Sequence, residues 1–300
     1  MSTLRYTQLF ALVSVVLATT TGAEAFCRAR TCNVNDPKQN CELDENLCIA
    51  TGQTLYWASG CVSFSVQKDG SPAHDIDAAT ATDVARRAFS TWTDVDCEGE
   101  SPSIGFADHG MVACDASEYN EDGYNANAII FRDDAWPYPG ASDTYGFTRL
   151  RFNPSTGEIY DADIEINSAD FDISVDGDGV DLESILTHEL GHFLGLAHTS
   201  PELFDATMST TWDGIGTELR SLSDDDEAGI CTAYPPTRAV ASKSCEPRHG
   251  FAKECDVPLP EEDGGCSFVP KRPSGADFGL GALLLAGMAW HARRRRARRA

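Results

Sequence analysis

Between residues 188 and 198 the chain carries three histidines, a glutamate and a glycine at a spacing that strongly constrains the local fold. His188 and His192 are four residues apart, so both imidazoles project from one face of a helix and can hold one metal ion. Glu189 lies beside the first ligand and can act as a general base without occupying a coordination position. Gly195 permits the positive φ that ends a helix, and the turn brings His198 round as a third ligand.

Three imidazoles leave one coordination position open, which is typical of catalytic rather than structural zinc. The alternative is that these are ordinary histidines of a helix. Five fixed positions at about 1/20 each coincide in roughly one chain in ten thousand of this length. The sequence therefore predicts one catalytic zinc ion held by His188, His192 and His198, with Glu189 as the catalytic base.

Hydrophobic patterning predicts a mixed α/β (α+β) domain at residues 55–236. Apolar residues at helical spacing, with Asp181 as a suitable N-cap for the second helix, predict three helices at Asp75–Val95, Asp181–Gly195 and Ser223–Tyr234. Alternating and apolar runs predict strands at Leu55–Val66, Ser103–Phe106, Ala128–Phe131, Tyr145–Phe152 and Ile159–Ile166.

The segment from His188 to His198 resembles the long zinc signature of the metzincins, and its amino-acid sequence is most similar to that of the matrixins. Metzincins also carry a methionine in a tight turn beneath the metal, for which Met208 is the candidate, the alternative being a methionine that fills the core. The resemblance covers residues 55–236. It implies a twisted mixed sheet, a long backing helix, an active-site helix and a C-terminal helix. It also implies a zinc endopeptidase whose polypeptide substrate lies antiparallel to an edge strand, for which Tyr145–Phe152 is the candidate.

The sequence departs from the matrixin pattern in several respects. No histidine lies between His109 and His188, so the second, structural zinc ion of animal matrixins has no ligand set here. No cysteine-switch propeptide is recognisable. Ser209–Trp212, which corresponds to the wall of the family's specificity pocket, has an unusual sequence, so the side-chain preference stays open. Thr210 stands where astacin-like and serralysin-like enzymes usually carry tyrosine, which disfavours those subfamilies.

Two groups of acidic residues are candidate calcium ligands. Asp161, Asp163 and Glu165 alternate along a predicted strand and therefore share one face. Asp176 and Asp178 lie in a glycine-containing loop just before the active-site helix. Together these carboxylates could supply oxygen ligands to Ca²⁺. The alternative is a solvated acidic face followed by a turn, and spacing alone does not decide between the two.

Charge and cysteine content limit the partners and the compartment. The chain has 47 acidic and 23 basic residues, and six of the arginines lie at its C-terminal end. Its central part is therefore strongly acidic, which excludes nucleic acid as a partner because phosphate contacts need clustered Lys and Arg. None of the 11 cysteines has CxxC spacing, so disulfides in an oxidising compartment are favoured, with Cys266 as the spare cysteine.

The two ends of the chain predict export and surface attachment. Residues 1–25 have the basic start, short apolar run and small-x-small site of a signal peptide. Residues 26–54 are predicted to be a Cys-rich extension, and residues 237–275 a linker. Residues 276–300, a short apolar helix followed by arginines, resemble the MYXO-CTERM type of bacterial sorting tag, which implies a processed tail. The alternative is a plain membrane anchor.

These observations predict a secreted or surface-anchored zinc metalloendopeptidase that acts on polypeptides. One alternative is a non-catalytic zinc-binding surface adhesion module on the same fold, which would have no need of the base Glu189. Another is a metal-dependent hydrolase of a non-protein polymer such as a cell-wall component.

Overall fold

The structure, a computed structural model, describes residues 25–139, 143–200, 203 and 205–254. In chain order its strands are β1 Cys27–Arg28, β2 Cys61–Gln67, β3 Gly105–Val112, β4 Ala128–Phe131, β5 Gly146–Phe152, β6 Ile159–Ile166, β7 Ile173–Ser174, β8 Val180–Asp181 and β9 Leu196–Ala197. Its helices are α1 Ala78–Thr93, α2 Leu182–Phe193 and α3 Asp224–Ala233, with short 3-10 turns at Pro72–His74 and Glu218–Arg220.

Five strands form one mixed sheet in the order β3-β2-β4-β6-β5. Strand β2 is parallel to β3 and β4, and β4 is parallel to β6. Strand β5 is antiparallel to β6 and lies at the edge of the sheet. The α/β (α+β) fold and this edge strand are therefore confirmed.

Each helix begins where a polar side chain satisfies its first free amides. The side chain of Asp77 accepts a hydrogen bond from the Thr80 amide, and that of Asp181 accepts from the Ser184 amide. Ser223 forms a capping box with Asp226 at the start of α3. The three helices thus confirm the prediction to within a few residues at each end.

The main core lies between the sheet and the pair of helices α1 and α2. Phe64 of β2 stacks on Phe89 of α1 with ring centroids 4.8 Å apart, and Phe89 meets the edge of Phe193 of α2 at 5.5 Å. Trp92 is fully buried, and its indole N–H donates to the backbone oxygen of Thr187 at 2.8 Å. The backing helix therefore holds the active-site helix against the sheet through aromatic packing.

Two of the predicted strands have different bounds in the structure. The strand predicted from Leu55 begins at Cys61. Leu55 and Trp57 are buried in an irregular segment, where the Trp57 indole donates to the Phe193 backbone oxygen at 2.8 Å. Tyr56 between them forms only an isolated bridge with Glu158, so the alternation marks a buried extended segment rather than a strand of the sheet. The strand predicted at Ser103–Phe106 runs later, over Gly105–Val112.

Disulfides close loops within the N-terminal extension and join the C-terminal segment to the domain. Within residues 26–54, Cys27 pairs with Cys48 and Cys32 with Cys41. Two long-range disulfides, Cys61–Cys245 and Cys97–Cys231, tie the chain together, and Cys114 is also disulfide-bonded.

Residues 237–254, expected to begin a linker, instead lie against the domain. The Arg238 guanidinium donates to the backbone oxygens of Trp57 at 2.7 Å and Ser103 at 3.0 Å. A polar segment without periodicity is thus held by the half-buried Arg238 and a disulfide, and near its end by Phe251, which packs against a second small apolar cluster. The predicted signal peptide except Ala25, the spare Cys266 and the predicted tail lie outside the described residues. Among the residues that are described, none belongs to a helix with the length and apolar character needed to cross a bilayer.

Candidate active site

Helix α2 and the turn that follows it bring the three predicted histidines together. His188 and His192 lie on the same face of α2, four residues apart. The helix ends at Leu194, and Gly195 follows with a φ of +84°. A Cβ at Gly195 would lie 2.5 Å from the Leu55 backbone oxygen, so only glycine fits this turn. Strand β9 then carries the chain directly to His198.

The imidazole nitrogens converge on one point. The Nε2 atom of His198 lies 3.2 Å from the Nε2 atoms of both His188 and His192. In a tetrahedral zinc site with Zn–N bonds of about 2.0–2.1 Å, the ligand nitrogens are separated by about 3.3 Å. The spacing therefore fits a zinc ion bound by three histidines.

The outer nitrogens of the helical histidines fix their tautomers. His188 Nδ1 lies 2.6 Å from the Thr207 backbone oxygen, and His192 Nδ1 lies 3.0 Å from that of Leu196. A carbonyl oxygen can only accept, so each Nδ1 carries the proton and each Nε2 presents a lone pair to the centre. Lone pairs that face one another at this distance repel, and a cation between them removes the repulsion.

The surroundings keep the histidines neutral. Burial, followed by the neighbouring His198, lowers the pKa of His188 to about 4. Burial also lowers the pKa of His192, and partial burial together with His192 lowers the pKa of His198 to about 3. Neutral imidazoles are the form that binds metal, so the site is ready for a cation at neutral pH.

Glu189 lies beside this centre on the same helix and is buried. Its Oε2 accepts a hydrogen bond from the Thr148 hydroxyl of β5 at 2.6 Å. Burial raises the pKa of Glu189, while the nearby His192 and the Thr148 hydrogen bond oppose that rise. A Cβ at Gly146 would lie 2.9 Å from Glu189 Oε1, so the backbone of the edge strand passes directly over the carboxylate.

Met208 lies in a tight turn that packs beneath the metal-binding helix. The amides of Thr207 and Met208 donate to the two carboxylate oxygens of Asp226, at 2.7 and 3.1 Å. A Cβ added at Gly191 would lie 3.0 Å from Met208 Cε and closer still to its Sδ. The structure places the thioether against the helix at Gly191, which lies between His188 and His192 in the sequence.

A cleft of about 480 Å³ opens at the three histidines and Glu189. Edge strand β5 lines one side, with Gly146, Phe147 and Thr148. The segment after the methionine lines the other, with Ser209, Thr210 and Trp212. The segment proposed as the wall of the specificity pocket is thus part of the same cavity.

The candidate calcium ligands are not brought together in the described residues, where the three histidines are the one group of three or more His, Cys, Asp or Glu side chains whose ligand atoms converge. Asp176 and Asp178 are exposed, and the Asp178 amide donates to Asp176 Oδ1 at 3.2 Å, as in an ordinary turn. The second acidic group, Asp161, Asp163 and Glu165, does share one face of β6.

That face is buried, so it is not the solvated surface offered as the alternative. Opposite the acidic row, β5 places Arg151 across from Asp161 and Arg149 across from Asp163. The Asp163 carboxylate accepts hydrogen bonds from the backbone amides of Glu118 at 3.0 Å and Ala128 at 2.8 Å, so main-chain donors partner this buried acid. At the end of the row, Glu165 forms an ion pair with Arg132 and accepts from the Tyr138 hydroxyl at 2.5 Å.

Sequence reasoning missed Thr148 and did not assign a role to Asp226. Thr148 is one polar residue in an alternating strand, and its contact with Glu189 follows only from the placement of β5 beside α2. Asp226 lies in the helix predicted at Ser223–Tyr234, but its two bonds to the methionine turn are visible only in three dimensions.

The fold and the site together define a catalytic domain of the metzincin class. The chain belongs to the matrixin family (Peptidase M10), which matches residues 56–235. It is 29% identical over 195 residues to Metalloendoproteinase 1-MMP of Arabidopsis thaliana, an alignment that covers 60% of this chain and 44% of that protein. It is 34% identical over 101 residues to Matrilysin of Rattus norvegicus, covering 34% of this chain and 35% of that protein. The chain thus spans less than half the length of the curated relatives it matches.

Proposed function

We propose that this protein is a zinc-dependent endopeptidase that hydrolyses internal peptide bonds of extended polypeptides. The observation that carries the proposal is the Glu189 carboxylate beside three converging imidazoles, in a cleft that one edge of the sheet lines. Membership of the matrixin family and the names of the metalloendoproteinase relatives support it.

The three histidines would hold the zinc ion through their Nε2 atoms. When bound, zinc supplies a Lewis acid that polarises a carbonyl and lowers the pKa of water. Two features of this chain suit that role. The Nδ1 protons of His188 and His192 are held by backbone oxygens, and the low pKa values keep the imidazoles neutral.

Glu189 would act as the general base and then as the general acid. Its raised pKa makes the carboxylate a better proton acceptor than a solvent-exposed glutamate. The Thr148 hydroxyl donates to Oε2, and Oε1 lies beside Gly146, a residue that lines the cleft. The proton that Glu189 takes from water would be passed to the amine of the leaving peptide.

Edge strand β5 would bind the substrate. Its position at the end of the sheet leaves one side for an added strand, and such β-augmentation orders an extended peptide through main-chain hydrogen bonds. The cleft that contains the three histidines and Glu189 is lined by residues of β5 and of the segment after Met208, and we expect an extended peptide to lie across the catalytic group there. Cleavage within chains follows from this arrangement.

The segment after Met208 would set the side-chain preference. Trp212 packs against Tyr145 with ring centroids 5.4 Å apart, and both rings line the cleft. Ser209 and Thr210 add two small polar groups to the same wall. An aromatic wall with small neighbours favours an apolar side chain next to the cleaved bond.

The proposal includes export to an oxidising compartment, with attachment to the cell surface through the C-terminal tail. The disulfides Cys27–Cys48, Cys32–Cys41, Cys61–Cys245 and Cys97–Cys231 support the oxidising compartment, because such bonds persist mainly outside the cytosol.

Cleavage of a mixed peptide library by the full chain, with and without a zinc chelator, tests the proposal. We expect internal cuts that the chelator abolishes. Glu189→Gln should retain zinc and lose nearly all cleavage, about 10²-fold or more, because the base is gone while the ligands remain. Glu183→Gln is the matched control, since Glu183 lies on the same helix but pairs with Arg87 at 2.8 Å, away from the cleft. Full activity of Glu189→Gln would favour a different catalytic group, and zinc binding without any cleavage by the wild type would favour the adhesion module.

A further inference from the structure

The Cys-rich extension, residues 26–54, contributes a strand to the active-site turn. Strand β1 pairs antiparallel with β9, with Cys27 opposite Ala197 and Arg28 opposite Leu196. The Ala29 amide donates to the Gly195 backbone oxygen at 2.9 Å. His198 is the residue immediately after β9, so the extension is hydrogen-bonded to the chain that carries the third ligand.

Arg28 joins the two backbone segments that meet at this turn. Its Nη2 donates to the Leu55 backbone oxygen at 2.6 Å and its Nε to the Gly195 backbone oxygen at 3.3 Å. Leu55 is the same residue whose carbonyl lies against Gly195. The planar guanidinium therefore bridges two carbonyls with a single rigid group, which a more flexible cation does less well.

The disulfide Cys27–Cys48 fixes β1 from the other side. Cys27 is the first residue of β1, and the bond links it to the far end of the extension. The Leu55 amide donates to the Ala29 backbone oxygen at 2.8 Å, so the chain that leaves the extension is also tied to the end of β1. The second disulfide, Cys32–Cys41, closes a loop that lies further along the extension.

The three ligands are not supported in the same way. His188 and His192 are held by the backbone of a buried helix. His198 is exposed and follows a two-residue strand, and the Thr199 amide after it donates to the Met208 backbone oxygen at 2.9 Å. On the N-terminal side of His198, the pairing with β1 and the Arg28 bridge supply the corresponding restraint.

We propose that β1 and Arg28 are positioning elements for the metal centre, which hold the turn Gly195–Ala197 so that His198 meets the other two histidines. This inference rests on the proposed function for the identity of the metal. Residues 26–54 therefore contribute to the metal centre by positioning His198.

Zinc affinity of the full chain, measured by competition with a chromogenic chelator, tests this inference. Arg28→Ala should weaken zinc binding about tenfold or more, in the range found when groups that support metal ligands are lost. Arg28→Lys should be intermediate, because an ammonium can reach one carbonyl but does not bridge both in a fixed plane. Arg30→Ala is the matched control, since Arg30 lies in the same extension and donates to the Gly52 backbone oxygen at 2.9 Å; it should bind zinc within about twofold of the wild type.

A second pair of variants removes one disulfide each. Cys27→Ser/Cys48→Ser should weaken zinc binding, whereas Cys32→Ser/Cys41→Ser should leave it nearly unchanged, although both lose one link of the same extension. Near-UV circular dichroism under the assay conditions selects variants that remain folded, so that a loss of affinity is not a loss of the fold.

Hydrogen exchange of the metal-free chain separates this inference from the proposed function. The amides of residues 195–198 should exchange faster in Arg28→Ala than in the wild type and in Arg30→Ala. Equal zinc affinity and equal exchange in Arg28→Ala and Arg30→Ala would overturn the inference. If the wild type binds no zinc, but its residues 195–198 still exchange more slowly than those of Arg28→Ala, the proposed function is refuted. The restraint of the turn by β1 and Arg28 would then still stand.

Discussion

Replacement of Gly191 by alanine tests the packing beneath the metal centre, because two effects of known size oppose each other there. In a helix interior, alanine is favoured over glycine by about 1 kcal/mol. Here the new Cβ would lie 2.9 Å from Trp92 Cζ2 and 3.0 Å from Met208 Cε, and closer to Met208 Sδ. Neither neighbour has free space to move into, since the Trp92 indole is buried and hydrogen-bonded to Thr187 and the Met208 side chain is buried in the core. Overpacking of this kind costs about 1–3 kcal/mol.

The net expectation for Gly191→Ala is a loss of up to about 2 kcal/mol in the free energy of unfolding, measured by urea denaturation of the metal-free chain with its disulfides intact. Gly105→Ala is the control, because its Cβ would meet only the Gly60 backbone oxygen, at 3.9 Å; its stability should hardly change. In a Met208→Ala background, the cost of Gly191→Ala should fall by about 0.5 kcal/mol or more, because part of the clash is gone. Stabilisation by Gly191→Ala, or an equal cost in both backgrounds, would refute the reasoning.

Two further predictions concern the acidic row of β6. Burial raises the pKa of Asp163 to about 7, above the value of about 3.9 in an unfolded chain. Between pH 4 and pH 7 the folded chain therefore keeps a proton on Asp163 that the unfolded chain has lost. The stability that this carboxyl contributes is full below about pH 4 and is lost as the pH rises through about 7. Urea titrations measure the difference in the free energy of unfolding between the wild type and Asp163→Asn. This difference, wild type minus variant, should fall as the pH is raised from 4 to 7.5. A flat or rising difference would contradict the raised pKa of Asp163. Because this row is buried and Glu165 is already paired with Arg132, adding calcium to chelated protein should leave the melting temperature unchanged in calorimetry; a clear upward shift would show that a calcium site exists after all.

The elements that sequence predicted best are those whose signals are local. Asp181 and Ser223 mark the starts of α2 and α3 because an N-cap acts within one helical turn. The bounds of β4 and β6 match the prediction to the residue, since short runs of apolar or alternating residues end abruptly there. The three histidines were also predictable from a local signal, because their spacing along one helix and one turn fixes their relative positions.

The features that sequence did not predict depend on distant partners. The row Asp161, Asp163, Glu165 has the alternation of a solvated face, and its burial depends on distant groups such as the Glu118 amide, which bonds Asp163, and the Tyr138 hydroxyl, which bonds Glu165. Residues 237–254 have no apolar periodicity, and their position depends on the disulfide to Cys61 and on the Arg238 guanidinium. The pairing of the extension with β9 is likewise invisible in composition, because it consists of backbone hydrogen bonds between segments about 170 residues apart.

The zinc K-edge X-ray absorption spectrum of the purified chain reports whether three imidazoles bind one zinc ion. We expect one zinc ion per chain, with three nitrogen ligands of imidazole type at about 2.0–2.1 Å and an additional light-atom ligand. The imidazole signal should be lost together with bound zinc in a variant with His192→Ala and His198→Ala. A zinc-free chain that is correctly folded, or a first shell that contains sulfur at about 2.3 Å, would contradict the account.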